Sequence, residues 1–177
     1  ITADAVKTYF EEQNNKLNAI QELLNRPQDT VNSVQQLQIE NTQLKKEVAE
    51  LNKLKTQIVK KELEAELKEK EGLQFLAKEV SLDAQGIKNA AFDMGQNKDN
   101  LVLILAAVSN NKPILSCYIS KKLVKDRGLN AGEIVRSLGK HIRGGGGGQA
   151  FFATAGGSYP EGINAALGAA EFEVFSN

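Results

Sequence analysis

The sequence predicts an α+β protein: a long helical hairpin or coiled-coil arm, then a small globular mixed β-sheet domain flanked by helices. Three observations carry that expectation. All fifteen glycines lie at Gly72 or beyond, so residues 1–71, with Pro27 as their one proline, read as helix. A heptad of Leu and Ile runs through that stretch. Beyond it, apolar runs of strand length alternate with segments of helical period. The expected domains are 1–71, the arm, and 72–177, the sheet domain with a glycine-rich loop.

Within the arm, Val6, Phe10, Leu17, Ile20 and Leu24 recur every three or four residues and predict one amphipathic helix, with Thr2 as its N-cap. Arg26-Pro27-Gln28-Asp29-Thr30 interrupts it, and Asp29 or Thr30 can cap a second helix. There Val34, Leu37, Asn41, Leu44, Val48, Leu51 and Ile58 form the seam, and helix is expected as far as Glu71. Past Leu54 the apolar set shifts to Val59, Leu63 and Leu67. Either the first helix folds back on the seam, the entropically cheaper solution, or a second chain pairs with it.

In the second half, Leu73 to Ser81 reads as a strand, and Ser81 or Asp83 starts a helix burying Ile87, Ala90, Ala91 and Met94. Leu101 to Val108 is a continuous apolar run, expected as a central strand, with Ile114 to Ser120 antiparallel to it. Asn130 caps the next helix, and Glu133 completes the spacing of a capping box. Five glycines follow, then a strand from Ala150 to Ala155. Ser158, with Glu161, is placed to cap a last helix burying Ile163, Ala166, Leu167 and Ala170. Phe172 and Val174 alternate at its tail.

Composition narrows the function. Twenty-two basic residues balance twenty-two acidic ones, which excludes a polybasic protein. The single cysteine, Cys117, excludes a disulfide scaffold, and the single histidine, His141, excludes multi-histidine metal sites. Cys117 is expected in the core, His141 as a patch or helix C-terminal residue, and no catalytic or metal-binding residue is expected. No segment reaches the roughly 18 to 20 apolar residues of a membrane span, so a cytoplasmic setting is expected. The start at Ile1, without Met, suggests part of a longer protein.

Local charge is not neutral. Lys121, Lys122, Lys125, Arg127, Arg136, Lys140 and Arg143 face only Asp126 and Glu133 before the glycines end. Arg136, Lys140 and Arg143, spaced i, i+4, i+7, are expected on one helix face, bringing charge to the glycines. Gly144, Gly145, Gly146, Gly147 and Gly148 fit neither a phosphate-loop nor a Rossmann signature. Ordering them costs entropy, so the absence of side chains should serve close approach to a ligand or anion. An RNA phosphate backbone fits such a patch, with Gln149 beside it. Phe151 and Phe152 read as core strand residues rather than stacking platforms.

The segment Gly144 to Gly157, with Gln149-Ala150-Phe151-Phe152 at its centre, resembles the signature of the DHH-associated domain of alanyl-tRNA synthetases and DHH-type phosphoesterases. Leu129 to Val135, and Ile87-Lys88 followed by Asp93, resemble the same family. The heptads resemble the synthetase's linker, and Ile1 to Ala5 the end of its editing domain. The resemblance implies the C-terminal, tRNA-binding part of a synthetase, holding the elbow of tRNA(Ala) and linking aminoacylation with editing. ATP, Mg2+ and Zn2+ would then act in upstream domains of the same chain, and a homodimer through the arm is the further partner. The alternatives are the substrate-binding half of a DHH-type phosphoesterase and a coiled-coil dimerisation element.

Overall fold

The computed structural model describes residues 3–176, which leaves Thr2 and its expected cap outside the described residues. Two long helices come first, α1 (Ala3–Leu23) and α2 (Thr30–Glu66). A sheet domain follows: β1 (Lys68–Lys70), β2 (Leu73–Glu79), α3 (Ala84–Gly95), β3 (Leu101–Ser109), β4 (Lys112–Ile119), α4 (Lys121–Arg127), α5 (Ala131–Gly139), β5 (Gly145–Gln149), β6 (Phe152–Gly156) and α6 (Ile163–Phe175). The α+β class holds. The chain divides into two compact units, residues 1–50 and 51–177.

In the first unit, Asn25 and Arg26 take left-handed backbone conformations after α1. The Asp29 carboxylate then accepts from Asn32 N–H at 2.9 Å and starts α2, as its position before the apolar period predicts. Gln21 donates to the Thr30 hydroxyl at 3.2 Å across the turn. Neither helix closes the seam: Phe10, Leu17, Leu37, Leu44 and Val48 all remain about half exposed. The first helix does not supply the cover that the heptads call for.

In the second unit, six strands form one mixed sheet in the order β1-β2-β3-β4-β6-β5. β2 and β3 run parallel and every other pair antiparallel. The parallel pair is connected through α3, as a crossover requires. β3 lies in the middle, and Leu101 to Ala107 are all buried, which is why their run shows no alternation. One face packs on α5 and α6 through Val135, Leu138, Ile142 and Ala166. The other packs on α3 and on the end of α2, where Leu63 is fully buried and Val59 and Leu67 partly so. The shift of the apolar set past Leu54 marks where the helix joins this core.

Four expectations are corrected. Helix ends at Glu66, not Glu71, because Lys68–Lys70 pairs with β2 across a turn in which Glu71 and Gly72 have positive φ. The strand after the glycines starts at Phe152, with Ala150 and Phe151 in a turn. Ser158 does not cap a helix: its hydroxyl donates to the Arg143 carbonyl, and a 3-10 turn at Pro160–Gly162 leads into α6. Helix then continues through Phe172 and Val174 to Phe175.

Candidate nucleic-acid interface

The five glycines are not a loop. Gly145–Gln149 is the edge strand of the sheet, paired in register from Gly145↔Gly156 to Gln149↔Phe152. Glycine has little preference for strands, so the ladder with β6 imposes this conformation. Alternate glycines owe their identity to different causes. A Cβ on Gly146 would lie 2.3 Å from the Thr154 carbonyl oxygen, and one on Gly148 would lie 2.5 Å from that of Phe152. Close strand approach excludes side chains there. A Cβ on Gly145 or Gly147 would meet nothing within 4 Å. The fold does not require those two to be bare.

Helix α5 flanks this edge. Asn130 caps it, accepting from Gly132 N–H at 2.9 Å, and donates its amide to the Glu133 carboxylate at 3.2 Å. Glu133 thus accepts from the Asn130 side chain and not from its backbone N–H, so the reciprocal bond of the expected capping box is not made. The α-helix stops at Gly139, so Arg136, Lys140 and Arg143 do not share one helix face. Residues 140–142 form a tighter turn that ends in a Schellman arrangement: Gly144 N–H donates to Gly139 O at 2.9 Å, and Arg143 N–H to Lys140 O at 3.1 Å. Arg143 occupies the left-handed position, φ 48°, where glycine is usual. Its guanidinium lies 4.5 Å from the Tyr159 ring centroid. All three cations are exposed, as is His141.

The other end of the edge carries the second group of cations. The hairpin turn at Ala150 and Phe151 is tied to α5 by Ala131 N–H donating to Ala150 O at 2.9 Å, and to β4 by Ile119 N–H donating to Phe151 O at 2.9 Å. Lys121 Nζ sits 5.6 Å from the Phe151 ring. Lys122 pairs with Asp99 at 3.6 Å, both well exposed. Lys125 follows one turn along α4, and Gln149 is exposed beside the turn. Phe151 and Phe152 are half-buried rather than fully in the core. The linear sequence gave no hint of Phe92 and Tyr118, whose rings lie 5.5 Å apart, with Phe92 also 6.2 Å from Phe151. Phe92 meets Tyr118 because α3 packs on β4, and it meets Phe151 because β4 neighbours β6.

Cys117 is fully buried in β4, and burial pushes its thiol well above the ordinary value, so it packs rather than reacts. Among the described residues no group of three His, Cys, Asp or Glu could hold a metal ion, and no helix is long and apolar enough to cross a membrane.

With this geometry in place, comparison with known proteins is decisive at the level of family. The DHHA1 domain matches residues 72–174. The chain belongs to that family. Its DHHA1 domain and arm together are 50% identical to the alanine–tRNA ligase of Christiangramia forsetii over 97% of this chain, and 42% identical to that of Flavobacterium psychrophilum over 94%. The chain spans about a fifth of those relatives, 20% and 19% of their lengths, and corresponds to their C-terminal C-Ala/DHHA1 region. The DHHA1 fold is shared with the C-Ala domain from Aquifex aeolicus alanyl-tRNA synthetase, at a TM-score of 0.56 and 23% identity, over 62% of this chain and 97% of that one.

Proposed function

We propose that this chain is the tRNA-binding C-terminal part of an alanine–tRNA ligase. It holds the elbow of tRNA(Ala) so that aminoacylation and editing act on one bound molecule. The observation that carries this reading is the edge strand β5: bare at Gly145 and Gly147 where the fold leaves room for side chains, with exposed cations at both ends. A side-chain-free ladder lets a sugar–phosphate chain approach the backbone N–H groups, and the flanking charges neutralise phosphates. Recognition by shape and exposed loop bases suits folded RNA better than groove readout. Arg143 adds support. Holding a non-glycine residue left-handed costs about 1 kcal/mol, so its guanidinium is retained against the local backbone preference.

The alanylation chemistry, with its ATP and Mg2+, and the Zn2+ of the family enzyme belong to upstream domains in a cytoplasmic ligase. The residues described here offer no donor cluster that fits a metal. The ligase relatives favour this reading over a phosphoesterase. The open seam at Leu37, Leu44 and Val48 favours a homodimer through the arm.

The test is tRNA binding across a salt series, comparing the native chain with Arg136→Ala/Lys140→Ala/Arg143→Ala. The expected result is weaker binding and a slope of log affinity against log salt shallower by about 2 to 3. Unchanged affinity and slope would remove these residues from the interface.

A further inference from the structure

A second surface lies where the β5–β6 turn meets α3 and α4. It is a cleft of about 570 Å³, within the size range of small-molecule sites, walled by Phe92, Tyr118 and Phe151 and edged by Lys98, Lys121 and Lys122. Phe92, near the end of α3, keeps about a third of its surface in solvent, although it packs on Tyr118, Phe151 and Phe152. Leaving a large aromatic at a surface cleft forgoes part of its burial free energy. The Tyr118 hydroxyl has no hydrogen-bond partner among the described residues. Room for that hydroxyl is kept by Gly95, whose Cβ would fall 2.1 Å from it. At the rim Asp99 pairs with Lys122 at 3.6 Å, and Asp93 adds a second carboxylate. Lys121 lies over the Phe151 ring, its Nζ 5.6 Å from the centroid.

We propose that this cleft takes one unstacked nucleobase of a bound RNA. The base stacks on Phe151 and Phe92, a base edge group or ribose hydroxyl meets the Tyr118 hydroxyl, and the adjoining phosphate meets Lys121. The inference rests on the RNA-binding reading and deepens it: the glycine edge grips backbone, and the cleft at its end receives a base. Aromatic rings, a cation and a free hydroxyl are the equipment of single-stranded RNA recognition. A purely apolar partner would leave the lysines and the hydroxyl without a role.

The chain contains no tryptophan, so Phe151→Trp introduces a unique fluorophore into the cleft. The experiment titrates the full 177-residue chain with an RNA hairpin carrying an unpaired loop adenosine, and separately with AMP. Tryptophan quenching by the hairpin is expected. In the otherwise native chain, Phe151→Leu and Phe92→Leu should weaken hairpin binding about tenfold with an unchanged salt slope. Lys121→Gln, at an exposed position that tolerates substitution, should make the slope shallower by about one. Thermal melts of the leucine variants separate lost stacking from lost folding. Hairpin binding without quenching, with both leucine variants at native affinity, overturns the cleft while leaving the glycine-edge reading intact. If the native chain binds no RNA, that reading falls and AMP decides the cleft alone: quenching by AMP keeps a nucleotide site, and no quenching removes it. Equal affinity for AMP and the hairpin would overturn the RNA strand as the source of the base.

Discussion

The sheet has two edges, and only one of them carries the usual defences. β1 is three residues long, reads Lys-Glu-Lys, is exposed throughout, and places Lys70 against Glu171 of α6. Short, charged edges repel further strands. β5 has four glycines and a glutamine, no charge and no bulk, and is also largely exposed. It lacks the usual defences of an edge. With cations at its two ends, this open edge fits the proposed approach of an RNA backbone better than that of another strand.

That comparison breaks first at adjacent glycines. Gly146→Val should destabilise the chain by roughly 3 kcal/mol, because its Cβ must displace the Thr154 carbonyl and so the β5–β6 ladder. Gly147→Ala meets open space and should instead stabilise by about 0.5 kcal/mol, through a less flexible unfolded chain. The same alanine should weaken tRNA binding. Denaturant melts beside binding titrations check both, and a Gly147→Ala chain with native tRNA affinity would show that the bare edge is not a contact surface.

Arg143 sharpens the same contrast with a smaller effect. Arg143→Gly relieves the left-handed strain and forfeits the stacking on Tyr159, two effects of about 1 kcal/mol each and opposite sign. Stability should therefore move by less than about 1 kcal/mol, while the salt slope of tRNA binding falls by about one. A large loss of stability with an unchanged slope would make Arg143 a structural clamp.

Much of this fold was legible where one physical signal dominated. The unbroken apolar run at Leu101 to Val108, the Asn130 cap and the shift from Leu54 to Leu63 each anticipate an observed element or contact. What was hidden depends on partners distant in sequence. Lys68–Lys70 has helix-favouring residues and becomes a strand only because β2 pairs with it. The glycines have almost no strand propensity and become a strand through their ladder with β6. Helix α4 contributes one buried residue, Leu123, too little for a period to emerge. The charge excess before the glycines was visible, but its division between the two ends of β5 was not. That division follows from the helix stopping at Gly139 and from Phe151 docking beside Lys121.

The charged edge offers the smallest effect and the clearest sign. The Lys70–Glu171 hydrogen bond, with the charge attraction behind it, holds the Glu171 carboxyl below its ordinary 4.5 and Lys70 above its ordinary 10.5. Glu171 thus contributes stability above the carboxylate range and loses it as pH falls through its lowered value. Lys70 contributes below 10.5 and loses it as pH rises through its raised value. Both groups are exposed, so the contribution is slight and salt-sensitive. Melting the native chain beside Lys70→Gln should give a small Tm gap that is flat from about pH 6 to 9. The gap should close in acid and at high pH, and shrink in high salt. A gap that persists at pH 2 would mean that Lys70 stabilises β1 through its ammonium group over the Phe175 ring, 4.9 Å from the centroid, and not through its pairing with Glu171.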